Sequence, residues 1–71
     1  MQVHVDGTER SYKSQLMLQD VVKRRLGENE SRVPWVPLQQ VDGKWTAIIF
    51  LPTDFSHLAR PLAEFGFKVY N

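Results

Sequence analysis

The chain has 71 residues, no cysteine and a formal net charge of +1 at neutral pH. The absence of cysteine excludes disulfides, iron–sulfur clusters and thiolate zinc sites, and the balanced charge lacks the electrostatic footprint of an obligate nucleic-acid binder. His4 and His57 are the only histidines and lie far apart, so neither a metal nor a cofactor is expected. One domain, residues 1–71, fits this length, and a core of this size contributes about 3–5 kcal/mol, so we expect a partner to add stability.

The N-terminal segment is not a membrane or export signal. No apolar run approaches the length of a transmembrane helix, and the stretch from Gln2 to Asp6 lacks the basic start and apolar centre of a signal peptide. We therefore expect a cytoplasmic protein without a membrane partner.

The first predicted element is a strand. Polar and apolar residues alternate from Gln2 to Val5, which is typical of a half-buried strand. The pair Asp6-Gly7 then indicates a turn. The stretch from Thr8 to Lys13 fits either the return strand of a hairpin or a polar loop, and both interpretations stay open.

A helix is predicted from Ser14 to Leu26. Ser14 is suited to the N-cap, Gly27 to the residue after the helix, and the three basic residues of the last turn match the negative end of the helix dipole. Asp20 and Arg24 are spaced for an ion pair. The predicted apolar face comprises Met17, Leu18, Val21, Val22 and Leu26, and Arg25 falls near its middle.

The segment after this helix contains the chain's first tryptophan. Glu28 to Arg32 is predicted to be a charged loop, and Val33 to Pro37 is predicted to be extended, because a residue before proline is disfavoured in the helical region. Trp35 lies between two prolines. It either serves as an interaction hot spot or folds back over the core.

The C-terminal half predicts a hairpin, a helix and a short strand. Asp42-Gly43 favours a two-residue type I′ turn between strands within 38–51. A helix is predicted over about 54–65, with a kink or a two-part structure at Pro61 because proline lacks the backbone donor. The stretch from Phe67 to Tyr70 is the last predicted strand.

The predicted order β-α-β-β-α-β is the split pattern of ferredoxin-like folds. It predicts an α+β domain with a four-stranded, mainly antiparallel sheet and both helices on one face. If Thr8 to Lys13 were a strand instead, the N-terminal part would be β-grasp-like.

Strand alternation predicts an apolar patch on the sheet face away from the helices. Inward packing of Ala47 and Ile49 turns Ile48 and Phe50 outward. By the same alternation the outward set also includes Lys44, Thr46, His4, Lys68 and Tyr70. Such a patch needs a cover, which could be a second copy, another protein or stacked bases. The alternative is that the strand twists and Phe50 packs under a loop, beneath Trp35.

Two polar clusters are explained without a ligand. The basic group Lys23, Arg24 and Arg25, with Arg32 nearby, is interleaved with acidic residues and matches the helix dipole. Within it, Arg25 either extends outward or anchors an interface. The row His57, Arg60 and Glu64 fits a solvated helix face. No nucleophile–base pair, carboxylate pair or phosphate loop is recognisable, so an enzyme is not expected.

These observations predict a small non-enzymatic protein–protein interaction or regulatory module, in its simplest version a homodimer formed through the open sheet face. The expected contact residues are Phe50, Ile48, Tyr70, Trp35 and Arg25. The alternative is single-stranded nucleic acid bound on the same face, with Lys44, Lys68 and Arg25 on the phosphates.

Overall fold

The computed structural model of the protein describes residues 1–5 and 12–70. Within those residues it has four strands, two α-helices and two 3₁₀ helices. The strands are β1 (Gln2–Val5), β2 (Trp35–Gln39), β3 (Trp45–Phe50) and β4 (Lys68–Tyr70), and the α-helices are α1 (Gln15–Leu26) and α2 (Ala59–Phe65). The 3₁₀ helices span Gly27–Arg32 and Thr53–Leu58. Most of the stretch that could form an N-terminal hairpin lies outside the described residues.

The four strands form one antiparallel sheet in the order β2-β3-β1-β4. β1 and β3 are the central pair, with Val3 opposite Ile49 and His4 opposite Ile48. β4 pairs with the other side of β1, and β2 pairs with β3. The expectation of a small α+β domain with a four-stranded antiparallel sheet is confirmed.

Helix α1 begins and ends as its sequence predicts. The Ser14 hydroxyl accepts a hydrogen bond from the backbone N–H of Met17 at 3.2 Å, which satisfies one of the free donors of the first turn. At the other end Gly27 has φ +60°, a conformation that glycine adopts at little cost. Asp20 and Arg24 form the expected exposed ion pair at 3.1 Å.

Both α-helices pack on the same face of the sheet. Leu18, Val22 and Leu26 of α1 and Leu62 of α2 are buried together with strand residues in one cluster. The strand and loop members of that cluster are Val3, Val5, Ala47, Ile49, Leu51, Val33, Tyr12 and Phe67. Met17 was expected on the buried face of α1 but is 48% exposed. The buried stripe is narrower than predicted, because it consists of Leu18, Val22 and Leu26, which are spaced four residues apart.

The hairpin between β2 and β3 differs from the predicted type I′ turn. The N–H of Gly43 donates to the carbonyl of Gln40 at 2.9 Å, and Gly43 alone in the turn has a positive φ, of +86°. This is a three-residue connection, a turn followed by a left-handed glycine. The Asp42 carboxylate accepts from the Lys44 N–H at 3.0 Å, so Asp42 contributes a side-chain acceptor instead of a left-handed backbone.

Two segments tighten into 3₁₀ helices. The prediction of a loop from Glu28 to Arg32 is wrong, since this segment belongs to the 3₁₀ helix Gly27–Arg32. The kink or division expected at Pro61 in the second predicted helix is wrong: the backbone leaves helical values at Phe55 (φ −115°, ψ 15°), within the 3₁₀ helix, and α2 follows from Ala59. Pro61 therefore lies in the first turn of α2, where its missing N–H breaks no helical hydrogen bond.

Replacing the N-cap of α1 should destabilise the protein. Ser14→Ala removes the hydroxyl acceptor of the Met17 N–H, and we expect the free energy of unfolding in urea to fall by about 1 kcal/mol. Ser56→Ala, an exposed serine within a 3₁₀ helix, is the matched control and should change it by less than about 0.5 kcal/mol. Equal effects of the two substitutions would contradict the capping role.

Candidate functional site

The sheet face opposite the helices, called the outer face below, carries several exposed apolar side chains of the described strands. It comprises Gln2, His4, Val36, Leu38, Thr46, Ile48, Phe50, Lys68 and Tyr70. Each of these alternates with a residue that faces the helices. The structure thus places Ile48, Phe50 and Tyr70, three of the five predicted contact residues, on one face.

Register brings the outer-face residues into rows across the sheet. His4 lies between Ile48 on one side and Lys68 on the other. Gln2 lies in the same way between Phe50 and Tyr70. Directly opposed side chains on neighbouring strands are about 5 Å apart, so each row brings its side chains within reach of one another.

One half of the outer face is apolar. β2 and β3 contribute Val36, Leu38 and Phe50, which are 44%, 41% and 38% exposed, together with half-buried Ile48. Val36 is opposite Ile48 in the register. Val36 and Leu38 were missed by the sequence reasoning, although their positions on either side of Pro37 in an extended segment carried the signal.

The other half of the outer face is aromatic and polar. The rings of His4 and Tyr70 have centroids 4.5 Å apart with a tilt of 52°. His4 Nε2 lies 3.3 Å from the Gln2 side-chain oxygen. None of the four described strands contains aspartate or glutamate, and Lys68 is their only lysine or arginine.

The free edge of β2 is unsuited to pairing with another strand. The Phe50 N–H donates to the Pro34 carbonyl at 2.9 Å, and hydrogen-bonded pairs alternate along an antiparallel ladder. The next such pair on β2 involves Val36, so the backbone of Pro37 is directed to the free edge. Because proline has no N–H, the middle of this edge has no donor.

The free edge of β4 is too short for strand addition. The Leu51 N–H donates to the Met1 carbonyl at 2.9 Å, so the alternation along β1 directs the backbones of Lys68 and Tyr70 toward β1. Only Val69 presents its backbone groups to the free edge. Short edge strands and prolines are devices that prevent edge-to-edge association.

Trp35 lies on the opposite face of the sheet from Phe50. It is half-buried, stands opposite Ile49, and packs against the core cluster. The placement corresponds to the folded-back alternative for this tryptophan. The structure does not bring Trp35 together with Phe50 and Ile48.

Arg25 is also remote from the outer face. Its guanidinium carbon lies 4.1 Å from the centre of the Phe65 ring, and Phe65 in turn meets Phe67 edge to face at 5.2 Å. The arginine near the middle of the α1 stripe thus contacts α2 through a cation–π interaction. This contact connects the two helices.

The remaining polar candidates lie on exposed surfaces. Arg60 pairs with Glu64 at 3.3 Å, and the His57 ring lies 6.3 Å from that of Phe55. In residues 1–5 and 12–70 neither histidine forms an ion pair with a carboxylate, and no group of acidic or histidine side chains could hold a metal ion. A shallow polar pocket is lined by Glu28, Asn29, Ser31 and Arg32.

The sequence also predicted that the protein has no membrane partner. Among the described residues, no helix is long and apolar enough to cross a membrane.

Comparison with known proteins gives no further guidance. No protein-family model matches the chain, and neither the curated proteins nor the solved structures include a significant match to it.

The Arg25–Phe65 contact predicts a stabilising role for this arginine. Arg25→Gln should lower the free energy of unfolding by about 0.5–1 kcal/mol, because it removes the cation above the ring. Lys23→Gln, an equal charge change in the same helical turn, should have a smaller effect. In a Phe65→Leu background the cost of Arg25→Gln should largely disappear, and an undiminished cost there would contradict the cation–π role.

Proposed function

We propose that this chain is a small non-enzymatic interaction module that binds a protein through the outer face of its sheet. The observation that carries the proposal is the apolar half of that face, where exposed Val36 lies opposite half-buried Ile48 and where Leu38 and Phe50, on the same two strands, are also exposed. Large contiguous apolar patches are rare on the surfaces of monomeric soluble proteins, and where they occur they often mark an interaction surface.

The energetics of covering this patch favour a macromolecular partner. Each Å² of apolar area removed from water contributes about 25 cal/mol, so the gain depends on covering many partly exposed side chains together. Phe50 and Tyr70 supply aromatic area, the kind that is enriched in hot spots of protein interfaces. Small ligands bind in concave clefts. The outer face is an open sheet surface, so its shape suits a small ligand poorly.

We also propose that the fold is ferredoxin-like. The element order β1-α1-β2-β3-α2-β4 supports this assignment, as does the sheet order β2-β3-β1-β4 with β1 and β3 at its centre. The fold itself implies no activity, since many unrelated functions share it.

Single-stranded nucleic acid is the alternative ligand for the outer face. The adjacent rings of His4 and Tyr70 beside Lys68 are the observation that favours it, because bases stack on aromatic rings and lysine binds phosphate. The alternative is weaker, because the strands contribute one lysine to the face and Arg25 stacks on Phe65 at a distance from it.

A capture experiment tests the proposed function. Tagged chain, recovered from the cells that produce it, should enrich the same protein reproducibly, whether another copy or a different chain. Phe50→Asp should abolish this enrichment, because it places a charge within the apolar half. Leu16→Asp is the matched control, since Leu16 is 76% exposed on α1, and it should retain the captured protein.

Two outcomes would contradict the proposed function. One is a captured protein that both variants retain equally while circular dichroism shows Phe50→Asp to be folded. The other is a chain that captures nothing at all, itself included.

A salt titration separates the alternative from the main proposal. We expect a fluorescent oligothymidine to show no change in anisotropy with the purified chain at low ionic strength. Binding that weakens steeply with added salt would instead favour nucleic acid, because phosphate contacts release counterions. Lys68→Ala would then weaken it, and Lys23→Ala on the helix side would not.

A further inference from the structure

We infer that Pro37 is a built-in block on sheet extension, which keeps the free edge of β2 from pairing with β2 of a second copy of this chain. Replacing this one residue should join two copies into a continuous sheet. The inference concerns the edge of the sheet and does not rest on the proposed function of the outer face. It is carried by the alternation of hydrogen bonds along β2 and by the lack of charge on this strand.

Three residues of β2 direct their backbone groups to the free edge. The carbonyl of Pro34 and the N–H of Gln40 both bond across the hairpin, at 2.9 Å and 2.7 Å. Hydrogen-bonded positions recur at every second residue of an antiparallel ladder, so the residues between them face the other way. No other described strand pairs with that side of β2. The residues directed to it are Trp35, Pro37 and Gln39.

Pro37 removes the central donor from this edge. In an antiparallel contact centred on Pro37, the two prolines would oppose each other and neither could donate. A shift by two residues in either direction opposes each Pro37 to Trp35 or Gln39 of the other copy, which does have an N–H, but each proline still has none to give. Every one of these registers therefore loses one hydrogen bond per copy.

The edge of β2 would be adhesive without this proline. Charged side chains commonly protect edge strands, but β2 has the sequence WVPLQ and carries no charge. In the contact centred on Pro37, Val36 would lie opposite Leu38 of a second copy. These side chains are 44% and 41% exposed, so their pairing would bury apolar area. Proline is the protective feature on this strand.

The mass of a proline variant in solution tests the inference. Pro37→Val restores the N–H and breaks no bond to β3, because the backbone of residue 37 faces away from that strand. Light scattering over a concentration series should show a dimer at a concentration about tenfold or more below any at which the wild type dimerises, because each contact regains two hydrogen bonds. The dimer should persist when Phe50→Asp is added, since that change alters the outer face.

Hydrogen exchange locates the contact. The amides of Trp35 and Gln39 should be protected in the Pro37→Val dimer and should exchange freely in the wild type, because pairing through this edge occupies both of them. Adding Gln39→Pro to Pro37→Val should dissociate the dimer, since it removes another donor from the same edge.

Pro34→Val is the matched control. It replaces the neighbouring proline, but the Pro34 carbonyl bonds to the Phe50 N–H, so the backbone at this position faces β3. We expect this variant to keep the wild-type mass at every concentration. Pro37→Ala restores the same donor with a smaller side chain, and it replaces Pro37→Val in each measurement if circular dichroism shows the valine variant to be unfolded.

Three results would overturn the inference. One is a folded Pro37→Val or Pro37→Ala chain that keeps the wild-type mass over the whole concentration series. Another is Pro34→Val that associates as strongly as Pro37→Val. The third is a wild-type dimer in which the Trp35 and Gln39 amides are protected. None of them bears on the capture of a protein through Phe50, so the proposed function is tested separately.

Discussion

The pairing of β1 with β3 is the constraint on which the rest of the structure depends. These two strands are the centre of the sheet, and their register determines which residues face the helices. With Val3 opposite Ile49, the buried residues of both strands meet α1 and α2 on one side. The same register places His4 and Ile48 on the other side. A shift by one residue would exchange the two sets, so core and outer face are determined together.

In the part of the chain that the structure describes, helices cover one face of the sheet. The two α-helices and the 3₁₀ segments complete a two-layer domain, and the core lies between the helices and the sheet. Burial is then limited by surface-to-volume scaling, and there is no cysteine to add a covalent crosslink. Ile48 and Phe50 remain outside this core. Covering them is the remaining way in which the sheet can bury apolar area.

Local rules predicted the elements well. The alternation in β1 and β3 and the Ser14 cap follow from short-range chemistry, and the structure contains them. The hairpin turn was predicted less well, because an Asp-Gly pair fits both a two-residue and a three-residue connection. The choice between them depends on how the flanking strands pair, which is not a local property.

The candidate site was predictable where it depends on alternation and not where it depends on tertiary contacts. Ile48, Phe50 and Tyr70 reach the outer face by strand period alone. Trp35 and Arg25 were grouped with them because of their residue types. The position of Trp35 depends on which side of β2 meets the core, and that of Arg25 depends on the approach of Phe65 to α1. A local sequence pattern does not encode the distance or orientation between separate elements.

The blocked edges and the open face together restrict how this molecule can associate. Pairing through a free edge would extend the sheet and leave another free edge, so it could continue without limit. Pro37 on β2 and the brevity of β4 oppose that mode. The same strands that expose Phe50 therefore oppose extension of the sheet and leave the outer face as the apolar surface open to contact.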